Sequence, residues 1–214
     1  NVRGFLDPGF ETYRNHIFKS IRDLGYVTHI KLLNASNFGV PQLRPRVVIV
    51  GIRKDQYGAF AYPDDKPGSA KTVGETLYDL MAENKWAGAK RWAEQADRIA
   101  PTLVGGSKKH GPDLGPTRAR NAWAELGIDG RGIADAAPTP DFEGMPRLTS
   151  RMMARIQGFP DTWTFGSRKT VACRMIGNAF PPPVAKAVGE QIKECLAHGC
   201  ADSQSKISLS RAVI

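Results

Sequence analysis

No run of about eighteen apolar residues occurs anywhere in the chain, which excludes a transmembrane helix. The first residues, Asn1-Val2-Arg3-Gly4-Phe5, lack the charged-then-apolar pattern of a secretory signal. They also lack an initiator Met, and the chain opens as though in mid-sequence, as a cleaved, engineered or partly observed chain would. Cysteine is scarce: Cys173, Cys195 and Cys200 have no CxxC spacing and no histidine cluster beside them. That argues against a disulfide framework or a zinc site, so no metal is expected, and it fits a reducing cytoplasm. None of the three follows a proline in a tight turn. Internal repeats and low-complexity tracts are absent as well.

What is present is a 214-residue chain of ordinary globular composition, long enough for one sizeable core or one domain plus a smaller lobe. Lys and Arg number 30 against 21 Asp and Glu, a net charge of +9, so a polyanion is the first partner to consider. The excess is uneven. Up to Lys54 nine basic side chains face three acidic ones, and from Leu148 onward nine face four. The stretch between them has twelve against fourteen.

Three parts follow from pattern. In residues 1–54, Tyr13 to Leu24 carries Ile17, Phe18, Ile21 and Leu24 at helical spacing, with Gly25 as a stop. Tyr26 to Leu33 reads as a strand, Asn34 to Pro45 as a loop, and Val47–Ile52 as a short β-branched run. Such a run suits a strand buried on both faces of a parallel or mixed α/β sheet. Residues 55–147 are rich in Gly, Pro and Asp, with short helices expected near Val73 to Asn84 and Thr117 to Leu126. Trp86, Trp92 and Trp123 give this irregular lobe apolar mass to bury, which a disordered linker would lack. Residues 148–214 regain regularity. A helix runs from Leu148 to about Gln157 with Thr149 as its N-cap, and Gly158-Phe159-Pro160-Asp161 ends it. A short strand or turn precedes Arg174 to Asn178. Pro181-Pro182-Pro183 then opens a helix to about Leu196, and the last dozen residues read as frayed.

Three of these segments resemble the DNA cytosine-5 methyltransferase family of bacterial restriction–modification systems. Gly39-Val40-Pro41-Gln42-Leu43-Arg44-Pro45-Arg46, leading into Val47–Ile52, is similar to its Gln-x-Arg-x-Arg motif. Arg147-Leu148-Thr149 through Arg155-Ile156-Gln157-Gly158-Phe159-Pro160 resembles its penultimate motif, and Arg174-Met175-Ile176-Gly177-Asn178-Ala179-Phe180-Pro181-Pro182-Pro183 its last. Asn1-Val2 resembles the tail of a Glu-Asn-Val triplet. Met152 stands where the family usually has glutamate, and Cys173 where it usually has an aromatic residue. The resemblance covers Asn1 to about Leu196. It implies the second part of a Rossmann-like α/β catalytic domain (1–54), an inserted irregular target-recognition domain (55–147), and a junction with a C-terminal catalytic helix (148–214).

The same resemblance assigns roles. Arg46 would reach a flipped cytosine in the active site, and Arg44 would position the DNA backbone or serve internal structure. By themselves the two residues also read as structural salt-bridge arginines at a strand edge. Asn178 and Ala179 would close an S-adenosylmethionine pocket, although helix capping is the commoner use of such an Asn. In the middle lobe Thr102-Leu103 resembles the family's Thr-Leu pair beside its base-reading loops. Ser107, Lys108, Lys109 and His110 in a glycine-rich loop, with Arg118 and Arg120, form the one basic island of an acidic lobe, suited to a DNA groove; a solvated surface loop is the alternative. Arg151 and Arg155, a helical turn apart, could bond a phosphate or support the lobe junction.

The expected function is therefore methyl transfer from S-adenosylmethionine to C5 of cytosine in duplex DNA. No Phe-x-Gly-x-Gly loop and no Pro-Cys turn occur. The chain alone is expected to be inert, binding cofactor only with an N-terminal methyltransferase half or subunit. A bacterial, cytoplasmic, nucleoid-associated setting without membrane is implied. A catalytically inactive DNA-recognition fragment and a relative acting on transfer RNA remain open.

Overall fold

A computed structural model describes residues 1–56, 58–105, 111–166 and 168–211, with side chains described up to residue 198. The chain divides into two compact units. Unit 1 takes Asn1–Asn34, Pro45–Asp65 and the chain from Ala185 onward; unit 2 takes Ala35–Arg44 and Lys66–Val184. The compositional borders at residues 54 and 147 lie inside unit 1 and unit 2 respectively.

In unit 1, α1 (Glu11–Asp23) is followed by β1 (Tyr26–Asn34) and β2 (Pro45–Arg53). The strands pair antiparallel in unbroken register from Tyr26↔Arg53 to Asn34↔Pro45. Among the described residues this is the one sheet, and β2 pairs antiparallel within it, a pairing that excludes a parallel β1–β2 neighbour and that a mixed sheet admits. The connection explains it. Only residues 35–44 join the strands, enough for a reversal but shorter than the crossover that parallel neighbours need. Buried side chains occur on both faces of β2, Val47 on one and Val50 and Ile52 on the other, while Ile30 on β1, opposite Ile49, is 39% exposed. Helix α1 has no fully buried residue, and Leu24 at its end is 76% exposed. Outside the ladder, Tyr62 brings its hydroxyl to 2.9 Å from the His29 carbonyl and 2.8 Å from that of Val48.

Unit 2 holds α2 (Val73–Met81), α3 (Ala89–Gln95), α4 (Thr117–Ala124), α5 (Ser150–Ile156) and α6 (Lys169–Asn178). Its core gathers Leu77, Met81, Leu103, Leu126 and Met153 around Trp86, Trp92 and Trp123, so the middle lobe does bury the tryptophans that its sequence offers. Helix α2 starts in a capping box: Thr72 accepts from the Glu75 N–H and Glu75 accepts from the Thr72 N–H. Helix α3 has no counterpart in the sequence reading; seven residues with one Trp among charged neighbours carry too short a pattern.

Helix α5 begins as expected, with Thr149 accepting from the Met152 N–H at 3.2 Å. The thioether of Met152 takes the reciprocal place that a glutamate or glutamine usually fills, 3.4 Å from the Thr149 nitrogen. Its end is a complete Schellman turn. Gly158 has φ +87°, its N–H bonds Arg155 O, and Phe159 N–H bonds Ala154 O. The segment just before Arg174, expected as a strand or turn, is already part of helix α6. Its apolar positions Ala172, Cys173 and Ile176 fall on one buried face, a helical spacing that the flanking Gly and Pro obscure. Helix α7 (Pro182–Arg211) opens at the proline run and continues past the expected stop near Leu196.

Candidate functional site

Within unit 2 the three motif segments meet at one buried polar cluster. Residues 41–44 run beside 100–103 in parallel: Ala100 N–H bonds Pro41 O and Leu43 N–H bonds Ala100 O. Side chains then continue what the backbone begins. Gln42 accepts from the Leu103 N–H at 3.0 Å, while Arg44, two residues on, donates to Leu103 O at 2.6 Å. Gln42 Nε2 also reaches Ile156 O at 3.0 Å and the side-chain oxygen of Gln157 at 2.6 Å. Gln157 in turn donates to Ala179 O at 2.6 Å. Both glutamines are fully buried, so these bonds replace the water that their amides lose.

Arg44 is 1% exposed and adds bonds to Gly177 O at 2.5 Å and Ala179 O at 3.2 Å. A cation on the last carbonyls of α6 also complements the helix dipole. Arg44 thus takes the internal of its two expected roles, and its place among the DNA contacts is corrected, because the guanidinium is sealed from any phosphate. Backbone approaches backbone at the same spot. A Cβ built on Gly177 would lie 2.3 Å from the Gly105 nitrogen, and one on Gly105 would lie 2.8 Å from the Arg174 Cα. Asn178 closes α6 with its side chain exposed and does not cap the next helix, while Ala179 is part-buried and held through its carbonyl.

Thr102 lies at this cluster and donates its hydroxyl to Leu43 O at 2.5 Å. Arg46, at the start of β2 in unit 1, is half-buried, and burial pulls its guanidinium below the ordinary arginine value. Its Nη1 donates to the neighbouring Pro45 carbonyl. Asn1 pairs with Val47 through both backbone groups. Arg118 stands exposed in the first turn of α4. Ser107, Lys108, Lys109 and His110 lie outside the described residues. Arg155 is engaged by Asp161, by Asp79 at 2.5 Å and by Thr76 O at 3.1 Å, which joins α5 to α2. Arg151 lies 3.7 Å from Glu83 and 3.8 Å from Asp161. These contacts fit the second of the two roles expected for the pair, support of the junction between residues 55–147 and 148–214. Among the described residues no His/Cys/Asp/Glu group could hold a metal, and no helix is long and apolar enough to cross a membrane.

Gln42 and Gln157 lie inside two of the motifs, but sequence pattern assigns neither a role, and it does not single out Gly105. Their available signal is two amides inside otherwise apolar segments and a glycine whose neighbour in space lies 72 positions away. Asp129 has no sequence signature either. Burial works against its ionisation, yet hydrogen bonds from the Arg131 side chain and backbone and from Arg147 prevail and hold its carboxyl at about 2. Its folded value lies below the unfolded one. The stabilisation is therefore full above about pH 4 and lost as pH falls through about 2. An Asp129→Asn variant should lose stability at pH 7 and show a flatter acid-unfolding curve by circular dichroism between those limits; a parallel curve would contradict the assignment.

The chain is similar to known proteins over most of its length. The family model for C-5 cytosine-specific DNA methylase matches residues 1–194. Type II methyltransferase M.NaeI of Lentzea aerocolonigenes is 56% identical over 200 residues, covering 92% of this chain and 48% of that protein. Type II methyltransferase M.NgoMIV of Neisseria gonorrhoeae is 50% identical over 200 residues, covering 92% and 63%. The chain thus spans between 48% and 63% of the length of these relatives. The structure of the S. pombe Dnmt2 methyltransferase superposes with TM-score 0.51 at 17% identity, over 90% of this chain and 64% of that one. At that identity the likeness speaks for fold, the α/β fold of Rossmann-like methyltransferases. With the motifs in order and a match over nearly the whole length, the chain belongs to the C-5 cytosine-specific DNA methylase family.

Proposed function

We propose that this chain is the target-recognition and closing portion of an enzyme that moves a methyl group from S-adenosylmethionine to C5 of cytosine in duplex DNA. The observation that carries the reading is the buried cluster of Gln42, Arg44, Leu103, Gln157 and Ala179. It locks the beginning of the recognition lobe and the last two motifs into one rigid piece, the preorganisation that a reacting site needs. Arg46, half-buried and always charged, grips a carbonyl of the flipped cytosine. S-adenosylmethionine, when bound, supplies an electrophilic methyl group. The exposed amide of Asn178 and the pinned main chain of Ala179 fit one wall of its pocket. Thr102, Ser107, Lys108, Lys109, His110 and Arg118 serve the DNA.

The reaction requires a thiolate to attack C6 of the cytosine. Cys173 is buried, and burial together with Asp113 pushes its thiol up to about 11; Cys195 is buried with its Sγ donating to Gly58 O. Among the described side chains neither cysteine is an available nucleophile, and no Pro-Cys turn occurs in the sequence, which supports the reading that the chain alone is inert and works with an N-terminal methyltransferase half or subunit, in a bacterial cytoplasm. Support for that partner comes from the apolar surface of unit 1, where Phe10, Tyr13, Leu24 and Ile30 stand exposed.

Arg46→Ala tests the reading at its reacting end. In the reassembled enzyme, turnover should fall by about 100-fold or more, while duplex binding stays within about threefold, since phosphate contacts carry most of the affinity. Equal losses in binding and turnover would remove Arg46 from the reacting base. Preference for transfer RNA over duplex DNA in competition would change the substrate.

A further inference from the structure

The side chains of Gln42 and Gln157 join head to tail in one buried chain of hydrogen bonds. It starts at the Leu103 N–H, whose bond the Gln42 side-chain oxygen accepts at 3.0 Å. Gln42 Nε2 donates onward to Gln157 Oε1 at 2.6 Å, and Gln157 Nε2 donates to Ala179 O at 2.6 Å. The two ends fix its direction. A backbone N–H can only donate and a backbone carbonyl can only accept, so turning either amide over would set donor against donor and acceptor against acceptor. A relay with one allowed polarity holds one geometry, and each bond polarises the next.

The relay ends on the two segments that the proposed reaction uses. Leu103 follows Thr102, assigned to the DNA, and Ala179 follows Asn178, assigned to the cofactor wall. The turn beyond Ala179 packs at the same corner: a Cβ on Gly158 would lie 2.7 Å from Pro183 Cδ. Arg44 joins the same ends by a second route, through Leu103 O at 2.6 Å and Gly177 O at 2.5 Å. On Ala179 O, however, Gln157 is the closer donor, with Arg44 Nη2 at 3.2 Å. Two apolar side chains could fill this volume without desolvating two amides. What the amides add is direction at each end.

We propose that Gln42 and Gln157 are positioning residues, whose relay sets the plane of the Ala179 carbonyl and holds the cofactor-facing wall at 178–179 in register with the DNA-facing segment at 102–103. This rests on the methyl-transfer reading above and adds to it two side chains that act through the main chain without touching either ligand.

Gln157→Met and Gln42→Met break the relay at different points. Without the Gln157 amide, Gln42 Nε2 keeps Ile156 O at 3.0 Å and Ala179 O keeps Arg44, so no polar group is orphaned and folding is spared. Without the Gln42 amide, the Leu103 N–H also loses this acceptor. Equilibrium binding of S-adenosylmethionine and of duplex DNA to the reassembled enzyme reads the difference. Gln157→Met should raise the S-adenosylmethionine dissociation constant by about 10-fold, the worth of one net hydrogen bond. Its duplex affinity should stay within about twofold, since no phosphate contact is lost. Gln42→Met should weaken both ligands by about 10-fold, with the salt slope for DNA unchanged. Unchanged cofactor affinity in Gln157→Met, or equal weakening of both ligands by it, would overturn the proposal. Wild-type duplex affinity in Gln42→Met would cut the DNA end from the relay and overturn it as well. Amide hydrogen exchange in the chain alone gives a readout without partner or ligand. Gln157→Met should speed exchange at 178–180 and leave α2 as in the wild type; equal speeding in α2 would make the change a loss of fold and contradict positioning. A wild-type mixture that fails to bind S-adenosylmethionine or duplex DNA would instead overturn the methyl-transfer reading, and this proposal with it.

Discussion

Gly177→Ala is expected to destabilise unit 2 by about 3 kcal/mol, at the upper end of what overpacking costs. The added methyl would sit 2.3 Å from the Gly105 nitrogen and 2.4 Å from its Cα. Those atoms are backbone, held where 100–103 pairs with 41–44 and where Arg44 and Gln42 clasp Leu103, so no side-chain rotation can relieve the clash. The same substitution at Gly189 in α7 meets nothing within 4 Å and should stabilise, by about 0.5 to 1 kcal/mol through helix propensity and unfolded-state entropy. Urea unfolding of both variants measures the contrast. Equal midpoints would show that α6 and the 103–105 segment do not touch as described.

Arg44→Met is the second large effect. It leaves the carbonyls of Leu103 and Gly177 buried without their donor, at about 1–3 kcal/mol each, while Ala179 O keeps its bond from Gln157. A loss of roughly 3 kcal/mol follows. Arg44→Lys should recover only a minor part, because an ammonium on a flexible stem cannot span both carbonyls in one geometry as a planar fork does. Salt titration separates this account from a DNA-contacting one. The folded fraction of either variant should bind duplex DNA with an unchanged salt slope, since a contact that was never made releases no counterions. A slope reduced by about one would return Arg44 to the interface.

Local signals are the legible ones. Thr149 caps α5 and Gly158 ends it, and both are readable because cap and stop are contained within three or four residues. Helix α1 and strands β1 and β2 fall close to their expected limits through periodicity alone. The direction of strand pairing is not written in the apolar run of β2, which is compatible with either partner orientation; it is set by the short 35–44 connection. Helix α6 is hidden because its last turn, Ile176-Gly177-Asn178, carries a glycine that reads as a breaker but is required by the Gly105 backbone. The site divides in the same way. Motif spacing names the segments that meet, yet spacing cannot tell that Arg44 turns inward while Arg46 stays half-exposed. Nor can it show that Gln42 and Gln157, 115 positions apart, bond each other. The brace of Arg131 and Arg147 on Asp129 emerges only in three dimensions, because the 18-residue separation of Asp129 from Arg147 follows no periodic rule.

Labelled methyl transfer from S-adenosylmethionine to duplex DNA, assayed with this chain alone and together with an N-terminal methyltransferase half, decides whether the chain completes a methyltransferase. No incorporation by the chain alone, and incorporation at C5 of cytosine by the mixture, are the expected results. Incorporation by the chain alone, or none in a mixture that still binds duplex DNA, would contradict that role.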